Sequence, residues 1–227
     1  LSGSGAGLTS LPAANLTGVI PAANLGTGTA SSTTFLNGSG AYSEAGGGAW
    51  TVINSTSISS VSAVNFTSGI SSTYEYYMLV GSNVILNTPG GISVRLSSDA
   101  GSSWHSSSNN YAYQSYIQNS TTFNGYQVDH NYNTGYTTQF DITRGIEAGT
   151  NLPTNFTVEF WNLSQSATHK PMMSKTNVSV VAGTPVNGTS LGLLKLNNAI
   201  NGIQVLADGG APTLVSGRIT LYGIKHT

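Results

Sequence analysis

The residues best suited to chemistry are aromatic and cluster in one stretch of the chain. Polar side chains are interleaved with them, including His105, Asp129 and His130. Seven tryptophan and tyrosine side chains fall between residues 104 and 136: Trp104, Tyr111, Tyr113, Tyr116, Tyr126, Tyr132 and Tyr136. Sugar rings present C–H faces to aromatic planes, and their hydroxyl groups bind amides and carboxylates. The stretch is therefore a candidate receptor-binding or glycan-binding site.

A second interpretation of the same tyrosines stays open. Alternating tyrosines, as in Tyr111-Ala112-Tyr113, are also what a β-sandwich strand uses to fill its core. Loops on a rigid scaffold tend to carry function, which favours the members expected in loops. The residues we predict to contact a receptor are Trp104, His105, Tyr111, Tyr113, Tyr126, Asp129, His130 and Tyr132. Trp50 and Trp161 are instead expected to pack in the core or at a junction.

The chain offers little for catalysis. Glycan hydrolysis needs two carboxylates about 5–10 Å apart, and no spacing among the eight acidic residues favours such a pair. We find no Gly-x-Ser-x-Gly nucleophile turn and no phosphate-binding loop. The four histidines are isolated, so no metal site is predicted. We expect a protein that is not an enzyme and that has no catalytic residue and no cofactor.

Charge excludes other classes of function. Charged residues make up 7% of the chain, against roughly 25% in an average soluble protein. Seven scattered Lys and Arg residues cannot form the clusters that bind nucleic acid or an anionic membrane. No apolar stretch approaches the roughly 20 residues of a membrane helix, so no membrane insertion is expected. A surface of hydroxyls and amides suits use outside a cell, and the absence of cysteine fits assembly in a reducing cytoplasm.

Residues 1 to 43 differ from the rest of the chain and contain a short repeat. Leu11-Pro12-Ala13-Ala14-Asn15-Leu16 returns nine residues later as Ile20-Pro21-Ala22-Ala23-Asn24-Leu25. So short a unit cannot bury its aliphatic side chains against itself, whereas three chains can bury them around a shared axis. The residues predicted to hold a homotrimer together are Leu11, Leu16, Ile20, Leu25, Phe35 and Leu36. A disordered linker is the alternative.

The repeat and the segment Phe35-Leu36-Asn37-Gly38-Ser39-Gly40-Ala41-Tyr42 resemble the shaft-to-head junction of phage and virus tail fibre proteins. In that family an intertwined trimeric shaft precedes a β-rich head. Ser39 stands where the family often has Asp, and a turn remains plausible there. Because the chain begins at Leu1 without a leader, we expect it to continue an upstream fibre shaft of the same protein.

Residues 44 to 227 read as short strands separated by turns. Ile92–Ser97 and Phe156–Phe160 alternate apolar and polar residues, and Tyr74–Val80 places Tyr76 and Met78 on one face. Gly, Asn and Pro breaks such as Asn87–Gly91 separate these runs. Such a pattern predicts an all-β fold, a jelly-roll-like antiparallel β-sandwich head that follows the extended trimeric shaft. The resemblance extends diffusely to this head.

These observations together predict a non-enzymatic virion adhesin. It would be a homotrimeric tail-fibre tip that binds a host cell-surface receptor outside the cell, and we expect that receptor to be a polysaccharide. One alternative is a structural fibre or decoration domain without a receptor site. The other is a glycan depolymerase, which requires two carboxylates facing a cleft.

Overall fold

The chain divides into two compact units, Leu1–Gly48 and Ala49–Thr227. The computed structural model describes residues 27–29, 31, 34–44, 50–119, 126–130, 137–143, 152–179, 185–208 and 212–225, with the backbone alone at 43–44, 117–119, 126–130, 179 and 185. Composition predicts the boundary between the units at residue 43. The structure places it after Gly48, because the hairpin that runs to Glu44 belongs to the first unit.

The described part of the first unit is a β-hairpin. Its strands are β1 (Thr34–Leu36) and β2 (Tyr42–Glu44). The Asn37 side chain organises the turn, since its Oδ1 accepts hydrogen bonds from the backbone N–H groups of Ser39 and Ala41, both at 3.0 Å. Ser39 Oγ also donates to this oxygen at 2.7 Å, so serine serves the turn well. Leu11, Leu16, Ile20 and Leu25 lie outside the described residues.

The second unit is built from antiparallel strands, and no helix occurs among its described residues. Every pairing between its named strands is antiparallel. The strands are β3 (Trp50–Ser57), β4 (Ala63–Phe66), β5 (Tyr76–Leu86), β6 (Gly91–Ser97), β7 (Tyr111–Asn119), β8 (Tyr126–His130), β9 (Phe140–Asp141), β10 (Thr154–Trp161), β11 (Lys170–Ser179), β12 (Pro185–Leu194), β13 (Gly202–Asp208) and β14 (Leu214–Ile224). A search of the described residues for a helix long and apolar enough to span a membrane finds none.

The strand order is that of a jelly roll. The large sheet has the order β3-β14-β5-β10-β11-β12-β7-β8, and the small sheet has the order β4-β13-β6-β9. When the hairpins β7-β8 and β11-β12 are set aside, the eight remaining strands fall into sheets of order 1-8-3-6 and 2-7-4-5. This is the double Greek key of a jelly roll. The two hairpins extend the large sheet, and the predicted fold class of the head is confirmed.

The core lies between the two sheets and follows the predicted alternation. Val94 and Leu96 of the small sheet and Leu79 and Phe160 of the large sheet are all fully buried. The Phe156 ring of β10 covers Gly81 of the neighbouring strand β5. A glycine is needed there, because a Cβ at position 81 would lie 2.3 Å from that ring. The inner faces of the sheets thus form one packed layer, and the outer face of the large sheet is left for other contacts.

Candidate functional site

The outer face of the large sheet presents its side chains in rows that cross several strands. Buried and partly exposed residues alternate along β10, where Asn155, Thr157, Glu159 and Trp161 point away from the core. The antiparallel register sets each of these residues beside a partner on the neighbouring strand. Adjacent strands lie about 4.8 Å apart, so side chains in one row form a continuous surface.

The two rows nearest the start of β3 are apolar, and we name them the apolar rows. Their one charged side chain is Glu159. Burial raises the pKa of Tyr76, and its hydrogen bond with Glu159 raises this pKa further. The first row holds Trp50, Ile224, Tyr76 and Trp161. The second holds Val52, Tyr222, Met78, Glu159, Met173 and Leu191, and it continues on β7 with the polar Gln114.

The next two rows are polar. The third row carries mostly hydroxyl groups and holds Ser55, Thr220, Val80, Thr157, Lys175, Thr189 and Tyr116. The fourth is a ladder of amides made by Asn155, Asn177 and Asn187. Asn177 Nδ2 donates to Asn187 Oδ1 at 2.8 Å, and Asn155 Oδ1 accepts from the backbone N–H of Asn83 at 2.9 Å. The face therefore changes along the strands from aromatic to amide.

An open groove of about 570 Å³ crosses β5, β10, β11 and β12 on the polar rows, and we name it the amide groove. Its polar side chains are Ser82, Asn155, Thr157, Lys175, Asn177, Asn187 and Thr189, and Val80 adds an apolar side chain to the lining. No carboxylate lines it, and Lys175 supplies its one charge. Thr189 has Tyr116 as its cross-strand partner, and the Tyr116 side chain is 38% exposed. Hydroxyls, amides and a nearby aromatic ring are the groups that bind sugars.

Trp104 and His105, which the sequence predicts in a binding loop, lie half-buried in the connection between β6 and β7. A Cβ at Gly101 would lie 3.3 Å from the Trp104 ring, so the indole packs on the turn that precedes it. The His105 backbone N–H donates to the Leu96 carbonyl at 2.8 Å. Burial lowers the pKa of His105, and its Nε2 has no hydrogen-bond partner among the described residues. Both side chains remain partly accessible.

Tyr111 and Tyr113 are core residues, and the prediction that they contact a receptor is corrected here. Tyr111 is 0% exposed and Tyr113 is 5% exposed. The Tyr111 hydroxyl accepts the backbone N–H of Leu96 at 2.8 Å, and Tyr113 donates to Asp141 Oδ2 at 2.5 Å. Their rings point between the sheets, so a ligand outside the head cannot reach them. The alternative interpretation, that alternating tyrosines fill the core, holds for this pair.

The side chains of the other predicted contact residues lie outside what the structure describes. Tyr126, Asp129 and His130 belong to β8, whose backbone alone is described, and Tyr132 lies outside the described residues. Trp50, which the sequence predicts in the core or at a junction, is not a core residue. It is 50% exposed on the outer face, where its ring meets Tyr222 edge-on at 5.8 Å.

Two carboxylates approach each other in a hydrogen-bonded network between β6, β9 and β13. Ser93 Oγ donates to Asp141 Oδ1 at 2.7 Å and lies 3.5 Å from Asp208 Oδ2. Gln139 Nε2 donates to the same Asp208 oxygen. Asp141 is 7% exposed, and Tyr113 and Ser93 bond its two oxygens. The network ties β6 to the strands on either side of it.

No group of three or more His, Cys, Asp or Glu residues that could hold a metal ion occurs in the part of the chain that the structure describes. The amide groove was missed from the sequence because its side chains come from separate strands. Its only sequence signal is Asn, Thr or Lys at the outward positions of β10, β11 and β12, and strand order alone brings these positions together.

Comparison of the chain with protein-family models, with curated proteins and with solved structures finds no match.

Proposed function

We propose that this chain is a non-enzymatic virion adhesin, the receptor-binding tip of a trimeric tail fibre, which binds a host-surface polysaccharide in the amide groove. The observation that carries this proposal is the groove itself. It combines exposed amides, hydroxyls and one ammonium group on the rigid centre of an eight-stranded sheet. No flexible segment has to become ordered for these groups to bind, which lowers the entropic cost of association.

The amides and hydroxyls of this lining suit a polyhydroxylated ligand, whose C–H faces can lie against its apolar part. Asn177 and Asn187 each offer both a donor and an acceptor, as sugar hydroxyls require. The Tyr116 side chain, which is 38% exposed, supplies an aromatic ring beside Thr189 for contact with a sugar C–H face. The single ammonium of Lys175 has no ion-pair partner among the described residues, so it adds a preference for an acidic or neutral sugar over a cationic one.

The virion setting and the trimer rest on the sequence. The Leu-Pro-Ala-Ala-Asn-Leu repeat and the following hairpin resemble a fibre shaft junction, and the structure of the hairpin is compatible with that resemblance. Phe35 and Leu36 are 60% and 46% exposed in the single chain, which is consistent with their being covered by sister chains. Three linked heads would raise avidity through effective concentration, offsetting weak binding at each groove.

Two other functions remain alternatives. A structural fibre or decoration domain would share the fold. The burial of Tyr111 favours this function over receptor binding by the aromatic residues that the sequence predicts as a site. A depolymerase would require carboxylates in a cleft. The closest pair that hydrogen bonds reveal, Asp141 and Asp208, is engaged with Ser93, Tyr113 and Gln139.

Binding to purified surface polysaccharides of candidate hosts tests the proposal. The double variant Asn177→Ala/Asn187→Ala removes an amide pair from the groove. Each hydrogen bond contributes about 0.5–1.5 kcal/mol, so we expect binding to weaken roughly tenfold. The matched control is Asn65→Ala/Gln204→Ala, which removes an amide pair of the same chemistry from the small sheet, where Gln204 Nε2 donates to Asn65 Oδ1 at 3.0 Å.

If the two double variants bind equally well, the amide groove is not the receptor site. A chain that binds no polysaccharide and blocks no virus adsorption supports the structural alternative. New reducing ends released from the polysaccharide by the purified chain would support a depolymerase instead.

A further inference from the structure

We infer that the apolar rows of the large sheet, together with the free edge of β3, are the surface on which the heads of sister chains pack against one another. The inference rests on the proposed trimer and extends it, since the residues first predicted to hold the chains together all lie in the first unit.

The apolar exposure of the head is concentrated on one face. Five large hydrophobic side chains in the described part of the head are exposed: Trp50, Val52, Val61, Tyr116 and Leu191. All of them except Val61 lie on the outer face of the large sheet, and three lie in the apolar rows. Single exposed apolar residues are ordinary, but Trp50 and Val52 adjoin the partly exposed Tyr222, and such a set marks an interaction surface. We therefore expect another molecule to cover this part of the sheet.

The composition of the apolar rows favours a protein surface as the occupant. The Trp50 and Tyr222 rings stand at 73° to each other, and those of Tyr76 and Trp161 are tilted by 52°. Aromatic residues and Met are enriched in protein interfaces, and charged residues are depleted from their cores.

The edge of the sheet points to the same occupant. Among the described strands β3 pairs only with β14, so its other edge is free. Its eight residues, Trp50–Ser57, contain neither a charged residue nor a proline. Exposed edges usually carry such residues because they prevent pairing with another chain. An edge without them is expected to be covered.

A second copy of this chain is the partner that the chain itself brings to this surface. Trp50 follows the last residue of the first unit, Gly48, by two positions. Chains that are joined through their first units therefore start their heads close together, with Trp50 and Val52 of each copy near those of the others. Charge does not oppose this approach, since Glu159 is the one charged group in the apolar rows and is bonded to Tyr76.

Single cysteines in the full chain test the inference, because the natural chain has no thiol. Val52→Cys places a thiol in the apolar rows, and Asn65→Cys places one on an exposed strand of the small sheet. In the assembled protein, we expect the Val52→Cys variant to be alkylated at least about tenfold more slowly than the Asn65→Cys variant, because interface cores exclude water. The two rates should converge once the assembly has been dissociated by dilution or mild denaturant.

A charge in the same place gives an independent readout. Val52→Asp should shift the native mass toward the monomer, or lower the midpoint of trimer dissociation, while Asn65→Asp leaves both unchanged. Circular dichroism shows whether each variant keeps the fold. A trimeric chain in which the two introduced thiols react equally fast overturns this inference alone. A chain that is monomeric without substitution overturns it together with the proposed trimer.

Discussion

At the scale of single residues, two lysines of β11 have opposite roles. Lys170 is 0% exposed, and its Nζ donates to the backbone carbonyls of Gln165 (2.7 Å) and Thr168. Burial lowers the pKa of Lys170. Lys175, five residues along the same strand, is exposed in the amide groove. The first lysine holds the β10–β11 connection in shape, and the second is available to a ligand.

Replacing each lysine with methionine separates these roles. Lys170→Met leaves two carbonyls without their donor and should cost about 1–2 kcal/mol, which lowers the Tm by roughly 2–6 °C. Lys175→Met should leave the Tm within about 1 °C, since surface substitutions have small effects on stability. Thermal unfolding measured side by side checks this. An equal loss from both variants would mean that Lys170 does not organise its loop.

Asp99 gives the turn before Trp104 a dependence on pH. Hydrogen bonds from Ser103 and Ser97 lower its pKa from the ordinary 3.8 to about 2. A carboxyl with a depressed folded pKa stabilises the fold above its unfolded pKa, and this contribution is lost as the pH falls from about 4 to about 2. Asp99→Asn should therefore unfold at a lower temperature than the natural chain at pH 7, with the difference closing near pH 2. Thermal unfolding at both pH values measures it, with the exposed Glu75→Gln as control. A difference that is the same at both pH values would contradict the assignment.

At the scale of elements, Tyr111 connects the two sheets by bonding the backbone of β6 from β7. Tyr111→Phe keeps the ring but leaves the Leu96 N–H without its acceptor, so we expect a loss of about 1–3 kcal/mol in the free energy of unfolding. Polysaccharide binding by the folded variant should be unchanged. Denaturant unfolding and a binding titration check the two halves of this prediction. Weakened binding with intact stability would return Tyr111 to the receptor site.

The sequence predicts elements better than it predicts their neighbours. The alternation in Ile92–Ser97 and Phe156–Phe160 identifies strands and their buried faces, and both appear as β6 and within β10. The fourth row, the amide row, could not be predicted in the same way. Its residues Asn155, Asn177 and Asn187 meet only through the register of three strands. Periodicity determines which face a residue takes, and it carries no information on which strand lies beside it.

The same limit explains the aromatic cluster. Three of its tyrosines lie close together in sequence on β7, but Tyr111 and Tyr113 point inward and Tyr116 points outward. Alternation predicts that Tyr113 and Tyr116 take opposite faces, and composition cannot say which face is the core. Among the tyrosines whose side chains the structure describes, Tyr116 lies beside the amide groove, as the cross-strand partner of Thr189.

At the scale of the whole molecule, the outer face of the large sheet has an apolar part and a polar part at different positions along its strands. The apolar rows begin at Trp50, where the chain enters the head, and the amide row lies toward the opposite ends of the same strands. In the proposed trimer, self-association would use the first part and receptor binding the second. The two functions would then be separable by substitution.

Competition for virus adsorption tests the central claim most directly. The purified full chain is added to susceptible host cells before the virus, and the remaining free virus is counted. The natural chain and Asn65→Ala/Gln204→Ala should block adsorption at similar concentrations, while Asn177→Ala/Asn187→Ala should require roughly tenfold more protein or fail to block. Equal blocking by both double variants would contradict a receptor site in the amide groove, and no blocking by the natural chain on any susceptible host would contradict the adhesin.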